Sequence, residues 1–240
     1  MNWFENWFDS PYYHTLYKHR DEKEAQMFID NLINYLKIPK ESKLIDIACG
    51  RGRHSKYFNQ KGMDVVGVDL SKNSITNAKQ FENSSLLFKI HDMRRVYKKN
   101  HFDIATNLFT SFGYFNNKNE DQEAINAMGK NLKLNGLLII DFMNVKKIIS
   151  NLVLTEQKLI DGITFNIKRS VQNNYIVKDI EVIDSTKTER FQEKVKAITL
   201  VYFTELINKS GLKIIDIFGN YMLEDFNPLT SNRLILICNK

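Results

Sequence analysis

The stretch that decides the fold is LIDIACGRGRHS, residues 44–55, which is followed by a second apolar run that closes on Asp69. The pattern predicts a β-strand, a glycine loop and the start of a helix, and then a second strand that ends in a carboxylate. Gly50 and Gly52 let the backbone turn sharply and approach a ligand, while the helix offers unpaired N–H groups at its positive end. A carboxylate after the second strand suits the two hydroxyls of a ribose. The sequence therefore predicts a site for a cofactor that contains a nucleoside.

The residues around the glycine loop indicate which cofactor this is. The dinucleotide fingerprint has a third glycine, G-x-G-x-x-G, and Ser55 stands at that position here. Asp46 lies just ahead of the loop, where its charge would repel phosphates and attract a ligand that carries an ammonium and a sulfonium. Both residues disfavour NAD or FAD and favour S-adenosylmethionine, which carries both positive groups.

The chain resembles the class I S-adenosylmethionine-dependent methyltransferases in five segments that follow the order of that family. These are DIACGRG (46–52), VVGVDLS (65–71), HDMR (91–94), FDIATNLF (102–109) and LKLNGLLIID (132–141). The resemblance implies an α/β fold with a Rossmann-like, doubly wound and mostly parallel sheet. It also implies methyl transfer with S-adenosylmethionine as the cofactor.

The same resemblance assigns cofactor-binding roles to residues of each segment. The glycine loop is expected to cradle the amino-acid end, Asp69 to bind the ribose hydroxyls, and Asp92 to meet the adenine amino group while Met93 packs on the ring. The residues that follow the fourth strand are expected to face the transferable methyl group. The implied cofactor-binding residues are Asp46, Ala48, Cys49, Gly50, Gly52, Asp69, Leu70, Asp92, Met93, Asn107, Leu108 and Phe109.

The pattern along the chain predicts three parts. Residues 1–40 hold an unusually aromatic stretch and an amphipathic helix, which we interpret as a lid and a helix. Strands and helices alternate over residues 41–150 and again over 199–240, as expected of the cofactor-binding Rossmann-like domain. Residues 151–198 change to short β-branched runs separated by turn residues, which predicts an inserted antiparallel β meander.

The segment after the predicted fourth strand, NLFTSFGYF at residues 107–115, bears on the methyl acceptor. It resembles the corresponding segment of small-molecule amine methyltransferases that act on amino sugars or glycine. It lacks the Asn/Asp-Pro-Pro-Tyr signature of enzymes that methylate exocyclic amines of DNA bases or glutamine amides, and the Pro-Cys nucleophile used at C5 of pyrimidines. We therefore expect a small-molecule acceptor, with an amine nitrogen as the favoured atom.

Aromatic residues at both ends of the predicted site are candidates for substrate binding. Tyr13 and Tyr17 lie in the N-terminal stretch, and Tyr114 and Phe115 follow the fourth strand. Their ring faces suit a positively charged methionyl group through cation–π contact. For the two N-terminal tyrosines the alternative role is a hydrophobic anchor for the following helix.

A catalytic base is optional when the acceptor is a neutral amine or a thiol, because alignment of the reacting atoms can supply much of the catalysis. If a base exists, the candidates are His14 and Tyr13 in the N-terminal stretch and His54 beside the glycine loop. For His54 the alternative is a residue that packs near the cofactor without chemistry. The catalytic residue is therefore left unassigned.

Two other functions remain as alternatives. The formal net charge is +6, which permits an RNA or protein methyltransferase, although the lysines are scattered beside acids and no nucleic-acid module is apparent. A third possibility is a non-catalytic protein that binds S-adenosylmethionine or forms a homodimer through the exposed edges of the meander. The five histidines show no ligand spacing, so no metal is expected.

Composition indicates the compartment. Cys49 and Cys238 are the two cysteines, and they do not form a disulfide framework. No signal-peptide pattern is present, and no apolar run approaches the roughly 20 residues of a membrane span. We therefore expect a cytoplasmic protein without a membrane segment.

Overall fold

A computed structural model describes residues 3–18 and 22–240, and for residues 3–5 it describes the backbone alone. Residues 1–2 and 19–21 of the predicted lid lie outside the described residues. Three helices precede the first strand: α1 (Trp3–Phe8), α2 (Pro11–Leu16) and α3 (Glu22–Leu36).

Strands and helices alternate in the next part of the chain. Its elements are β1 (Lys43–Ile47), α4 (Arg53–Gln60), β2 (Asp64–Asp69), α5 (Lys72–Ala78), β3 (Leu86–Ile90), β4 (Phe102–Asn107), α6 (Lys118–Asn131), β5 (Leu132–Met143) and α7 (Val145–Ser150). Four strands follow: β6 (Thr155–Ile160), β7 (Ile163–Gln172), β8 (Tyr175–Asp184) and β9 (Lys187–Lys196). The last elements are α8 (Leu200–Lys209), β10 (Lys213–Phe218) and β11 (Arg233–Asn239).

The main sheet has seven strands in the order β10-β11-β5-β4-β1-β2-β3. The strands from β3 to β5 are parallel, and β11 runs antiparallel to both of its neighbours. The chain moves outward from β1 in both directions, so the crevice of the sheet lies at the carboxyl end of β1, where such sheets bind ligands. The predicted α/β class and the mostly parallel sheet are confirmed.

The central strands are buried on both faces, as apolar parallel strands are. On β1, Leu44 contributes to the apolar cluster that contains Phe28 of α3 and Phe58 of α4. The next residue, Ile45, points to the opposite face and contributes to the cluster that contains Phe203 of α8. Successive side chains of β1 thus pack into the hydrophobic layers on the two faces of the sheet.

A second sheet, β6-β7-β8-β9, is fully antiparallel and confirms the inserted meander. The N-terminal helices pack on it: Trp7, Tyr12 and Leu16 share an apolar cluster with residues of β7 and β8 such as Phe165 and Ile180. The face of the insert that would otherwise expose apolar side chains is therefore covered by α1 and α2.

The glycine loop rests on an aromatic ring from the neighbouring strand. Gly52 has φ +82°, and a Cβ at this position would lie 2.6 Å from Cζ of Phe88. A Cβ at Gly67 on β2 would lie 2.6 Å from the same ring. Both positions therefore require glycine because Phe88, fully buried on β3, occupies the space.

Gly52→Ala should lower the free energy of unfolding more than Gly162→Ala. Both glycines have φ near +80° (+82° and +80°), so either substitution strains the backbone by about 1 kcal/mol. Only at Gly52 does the new methyl group meet Phe88, and overpacking adds roughly 1–3 kcal/mol, because nothing lies within 4 Å of a Cβ at Gly162. Urea denaturation of both variants measures the difference, and equal losses would contradict the packing argument.

Candidate active site

A cavity of about 810 Å³ lies at the carboxyl ends of the central strands. The main sheet supplies its floor, the N-terminal helices one wall and the insert another. Its lining includes Phe8, Tyr13, His14 and Tyr17 from the N-terminal helices and the loop after them, Ala48, Cys49, Gly50, Asp69, Asp92 and Leu108 from the main sheet and its loops, and Ile176, Lys178, Glu193 and Val195 from the insert. All three parts of the chain therefore meet at one site.

The loop after β1 lines the cavity with backbone atoms at a position that has no side chain. Ala48, Gly50 and Gly52 all have positive φ (61°, 56° and 82°), so the chain turns sharply within five residues. A Cβ at Gly50 would meet nothing within 4 Å, and Gly50 lines the cavity. The absence of a side chain leaves a cradle that a ligand can occupy, which is what the amino-acid end of S-adenosylmethionine needs.

Asp69, the last residue of β2, is hydrogen-bonded to the glycine loop. Its Oδ2 accepts a hydrogen bond from the Gly50 N–H at 2.8 Å, and its Oδ1 accepts one from the Ser71 N–H at 2.8 Å. Burial raises the pKa of Asp69, while these backbone donors act in the opposite direction. A carboxylate can accept about four hydrogen bonds, so Asp69 keeps capacity for a ribose hydroxyl beside the backbone donors of Gly50, Leu70 and Ser71.

Asp46 lies behind the loop and does not line the cavity. Its carboxylate is buried and accepts hydrogen bonds from Ser55 Oγ at 2.6 Å and Thr106 Oγ1 at 2.9 Å. It therefore ties α4 to the end of β4. Burial raises the pKa of Asp46 to about 6, against the effect of the two hydroxyl donors.

Most of the predicted cofactor-binding residues reach the cavity. Those that line it are Ala48, Cys49, Gly50, Asp69, Leu70, Asp92, Met93, Leu108 and Phe109. Gly52 and Asn107 lie behind the wall with Asp46, and Asn107 Nδ2 donates to the Ile47 carbonyl at 3.0 Å. These three residues do not line the cavity and support the loop in front of them.

The Asp92 carboxylate is bound by Arg94. The Nε atom of Arg94 donates to Oδ1 at 3.0 Å, and Nη1 of Arg94 pairs with Glu120. Burial opposes ionisation of Asp92, but the bonds from Arg94 outweigh it and the pKa of Asp92 lies below its usual value. Asp92 is therefore an ionised acceptor in the lining of the cavity.

The predicted catalytic and substrate-binding residues come together in the cavity. Tyr13, His14, Tyr17, His54, Tyr114 and Phe115 all line it. An aromatic row crosses the wall, because Phe8 contacts Tyr13 and Tyr114 with ring centroids 5.0 and 5.2 Å apart, and Tyr13 contacts Tyr17 at 5.0 Å. His54 is buried, with Nε2 3.3 Å from Nη2 of Arg53.

Glu193 of the insert is a cavity residue that the sequence analysis missed. It accepts hydrogen bonds from Trp7 Nε1 at 2.6 Å and from Tyr17 Oη at 2.7 Å, and it pairs with Lys178 at 2.7 Å. Burial opposes its charge, but Lys178 and the other donors keep the pKa of Glu193 below its usual value. Lys178 and Glu193 lie opposite each other on β8 and β9, so a correct hairpin register could have paired them.

Asp141 at the end of β5 organises the loop that follows β4. Phe109 and Thr110 both have positive φ (63° and 61°), which side-chain-bearing residues rarely adopt. The Phe109 N–H donates to Asp141 Oδ2 at 2.8 Å, and the Thr110 N–H donates to the Asp141 carbonyl at 2.9 Å. Arg233 Nε and Tyr221 Oη complete the carboxylate's bonds at 2.7 and 3.1 Å.

Across residues 3–18 and 22–240, no three His, Cys, Asp or Glu side chains gather as a metal site would require. In the same part of the chain, no helix has the length and apolarity to cross a bilayer.

Comparison with known proteins agrees with this architecture. Residues 44–136 match the family described as "Methyltransferase domain". The chain is 32% identical over 114 residues to a putative methyltransferase, YqeM, of Bacillus subtilis, with 46% of each chain covered. A glycine/sarcosine N-methyltransferase of Parasynechococcus marenigrum is 26% identical over 87% of this chain and 75% of its own length.

The sugar N,N-dimethyltransferase of Streptomyces venezuelae that acts on dTDP-3-amino-3,4,6-trideoxy-glucopyranose is 28% identical, with 43% of each chain covered. This chain thus spans about half the length of the first curated relatives it matches.

Solved structures share the fold over nearly the whole chain. An S-adenosylmethionine-dependent methyltransferase from Clostridium acetobutylicum has a TM-score of 0.80 at 19% identity, with 95% of both chains covered. DesVI from Streptomyces venezuelae has a TM-score of 0.70 at 19% identity, with 94% of this chain and 95% of DesVI covered. The fold is that of the class I methyltransferases. The match over residues 44–136 and the shared fold confirm the predicted resemblance to the class I S-adenosylmethionine-dependent methyltransferases.

Asp46→Asn should remove part of the pH dependence of stability. The pKa of Asp46 is about 6 in the folded protein against 3.8 for an exposed carboxyl, so the fold binds this proton more tightly. Tighter binding of the proton stabilises the fold fully at pH values below 3.8. This stabilisation is lost as the pH rises through about 6, and the free energy of unfolding changes by about 3 kcal/mol. We expect the unfolding free energy of the variant to rise relative to wild type by this amount over that range. A pH-independent difference in denaturation would contradict the assignment.

Proposed function

We propose that this protein transfers a methyl group from S-adenosylmethionine to a small-molecule acceptor, with an amine nitrogen as the receiving atom. The observation that carries the proposal is a single cavity that joins the Gly50 cradle and Asp69 to the aromatic row of the N-terminal helices. One end of the cavity has the groups that a nucleoside cofactor needs. The other end is walled by parts of the chain that lie outside the cofactor-binding segments.

The cofactor would lie across the ends of β1, β2 and β3. Its amino-acid end would occupy the cradle at Gly50, its ribose would bind Asp69, and its adenine would lie between Asp92 and Met93. When bound, it supplies an electrophilic methyl group on a sulfonium. Leu108 and Phe109 would then face the methyl group from the end of β4, and the rings of Tyr13 and Tyr17 would suit the sulfonium charge.

The size of the cavity favours a small acceptor. Its volume of about 810 Å³ falls within the range of small-molecule and cofactor sites. Two cationic side chains of its lining are paired with carboxylates of the same chain, Arg94 with Asp92 and Lys178 with Glu193. This internal pairing leaves less positive charge for a nucleic acid backbone, which supports a small molecule over RNA.

Nitrogen is favoured as the acceptor atom by the relatives together with the site. Two matched proteins are described as a sugar N,N-dimethyltransferase and a glycine/sarcosine N-methyltransferase. A neutral amine attacks without a dedicated base when it is held in line with the methyl group and water is excluded. If a proton must be removed, Tyr13, His14 and His54 are the cavity residues able to accept it.

Gly50→Val should abolish binding of S-adenosylhomocysteine, because the new side chain would project into the cradle. We expect the affinity in calorimetric titration to fall by at least about two orders of magnitude. Gly211→Val is the matched control, since Gly211 also has positive φ and open space but lies after α8, away from the cavity. Normal binding by Gly50→Val would place the cofactor elsewhere, and binding of NAD by the wild type would overturn the cofactor assignment.

Asp69→Ala should weaken S-adenosylhomocysteine by about 2 kcal/mol, roughly thirtyfold, because the charged hydrogen bonds to the ribose are lost. Asp64→Ala serves as the control, since Asp64 is exposed at the opposite end of the same strand. If both variants bind as the wild type does, Asp69 has no part in cofactor binding.

A further inference from the structure

Arg233 begins a strand on the side of the main sheet away from the strands that carry the proposed cofactor positions. It begins β11, which pairs with β5, and Arg233 lies beside Met143 in that register. The strands β1, β4, β5 and β11 are consecutive in the sheet. Neighbouring strands are separated by 4.7–4.9 Å, so β11 lies about 14 Å from the glycine-loop strand. The cofactor positions lie at β1, β2 and β3, on the other side of β1.

The Arg233 guanidinium is held in one orientation. Its Nε donates to Asp141 Oδ1 at 2.7 Å, and its Nη2 donates to Thr110 Oγ1 at 3.0 Å. The rings of Phe109 and Tyr221 lie 5.7 and 5.6 Å from its central carbon. Two hydrogen bonds and two aromatic contacts therefore fix the group before any ligand arrives.

Part of this guanidinium remains available to a ligand. Arginine has five N–H donors, of which the structure uses two. No other residue in the described ranges accepts a hydrogen bond from Arg233, whose side chain is 17% exposed and lines the cavity. A partly buried, fixed guanidinium with unused donors at a cavity wall is suited to a planar anion such as a carboxylate, or to a phosphate.

The Asp141 carboxylate does not prevent the Arg233 guanidinium from binding an anion. Its carboxylate accepts hydrogen bonds from the Phe109 N–H and from Tyr221 Oη as well as from Arg233. One carboxylate charge is thus shared among three donors, and its single bond to Arg233 uses only the Nε edge. Asp141 acts chiefly to aim the guanidinium.

We propose that Arg233 binds an anionic group, a carboxylate or a phosphate, on the methyl acceptor. The proposal rests on the proposed function, because it takes the half of the cavity beyond β4 as the acceptor's. The acceptor is then an amine that also carries an anion. Arg233 holds the anion at the β5–β11 side, and the rest of the acceptor extends toward Leu108 and Phe109, where the methyl group arrives.

The test follows arginine side-chain signals by NMR in wild-type protein saturated with S-adenosylhomocysteine, during titration with inorganic phosphate. Arg233→Lys identifies the Arg233 signal by its disappearance. Arg190, whose side chain is 81% exposed on the insert, reports non-specific association. We expect the Arg233 signal to shift saturably, with at least about tenfold tighter apparent binding than at Arg190.

Two results would overturn the proposal. One is an Arg233 signal that phosphate moves no more than it moves Arg190. The other is an Arg233 signal that ignores phosphate but shifts with S-adenosylhomocysteine and not with 5′-methylthioadenosine, which lacks the amino-acid end; the anion would then be the cofactor's own carboxylate. Calorimetric binding of S-adenosylhomocysteine is measured in parallel, so failure of the cofactor assignment is detected separately from failure at Arg233.

Discussion

The site depends on the hydrogen bond between the Asp69 carboxylate and the Gly50 N–H, 2.8 Å long. It joins the ends of two adjacent parallel strands, β2 and β1, which reach the same edge of the sheet. Asp69 holds the loop from one side and Phe88 supports Gly52 from beneath, so contacts within the protein support the left-handed turns of the loop. The cradle at Gly50 is therefore built into the fold.

The sequence predicted the parts of the site that are local in the chain. A strand, a glycine loop and a helix start are contiguous, so residues 44–55 were enough to place the crevice, and Asp69 followed one strand later. Asp46 shows the limit of that approach. Its charge suggested contact with the ligand, whereas the structure places it behind the loop, bonded to Ser55 and Thr106. Which face of a short strand meets a cavity depends on elements distant in sequence.

The acceptor side could not be predicted in the same way, because its residues meet only in three dimensions. Arg233 and Asp141 are separated by 92 positions. The positive φ values of Phe109 and Thr110 have no sequence signature, since neither residue is glycine or asparagine. The insert was recognised from its β-branched alternation, but the face that it turns toward the cavity depends on how α1 and α2 pack against it.

The bond between Trp7 and Glu193 joins residues 186 positions apart. During synthesis the strands from β1 to β5 are complete well before β9 emerges, so they can assemble the glycine loop while the wall above it is still missing. Trp7 and Leu16 of the N-terminal helices are buried against the insert, so they cannot be buried until the insert has been synthesised. Such long-range closure slows folding relative to local contacts. The complete wall of the cavity therefore forms late, as one of the last steps of folding.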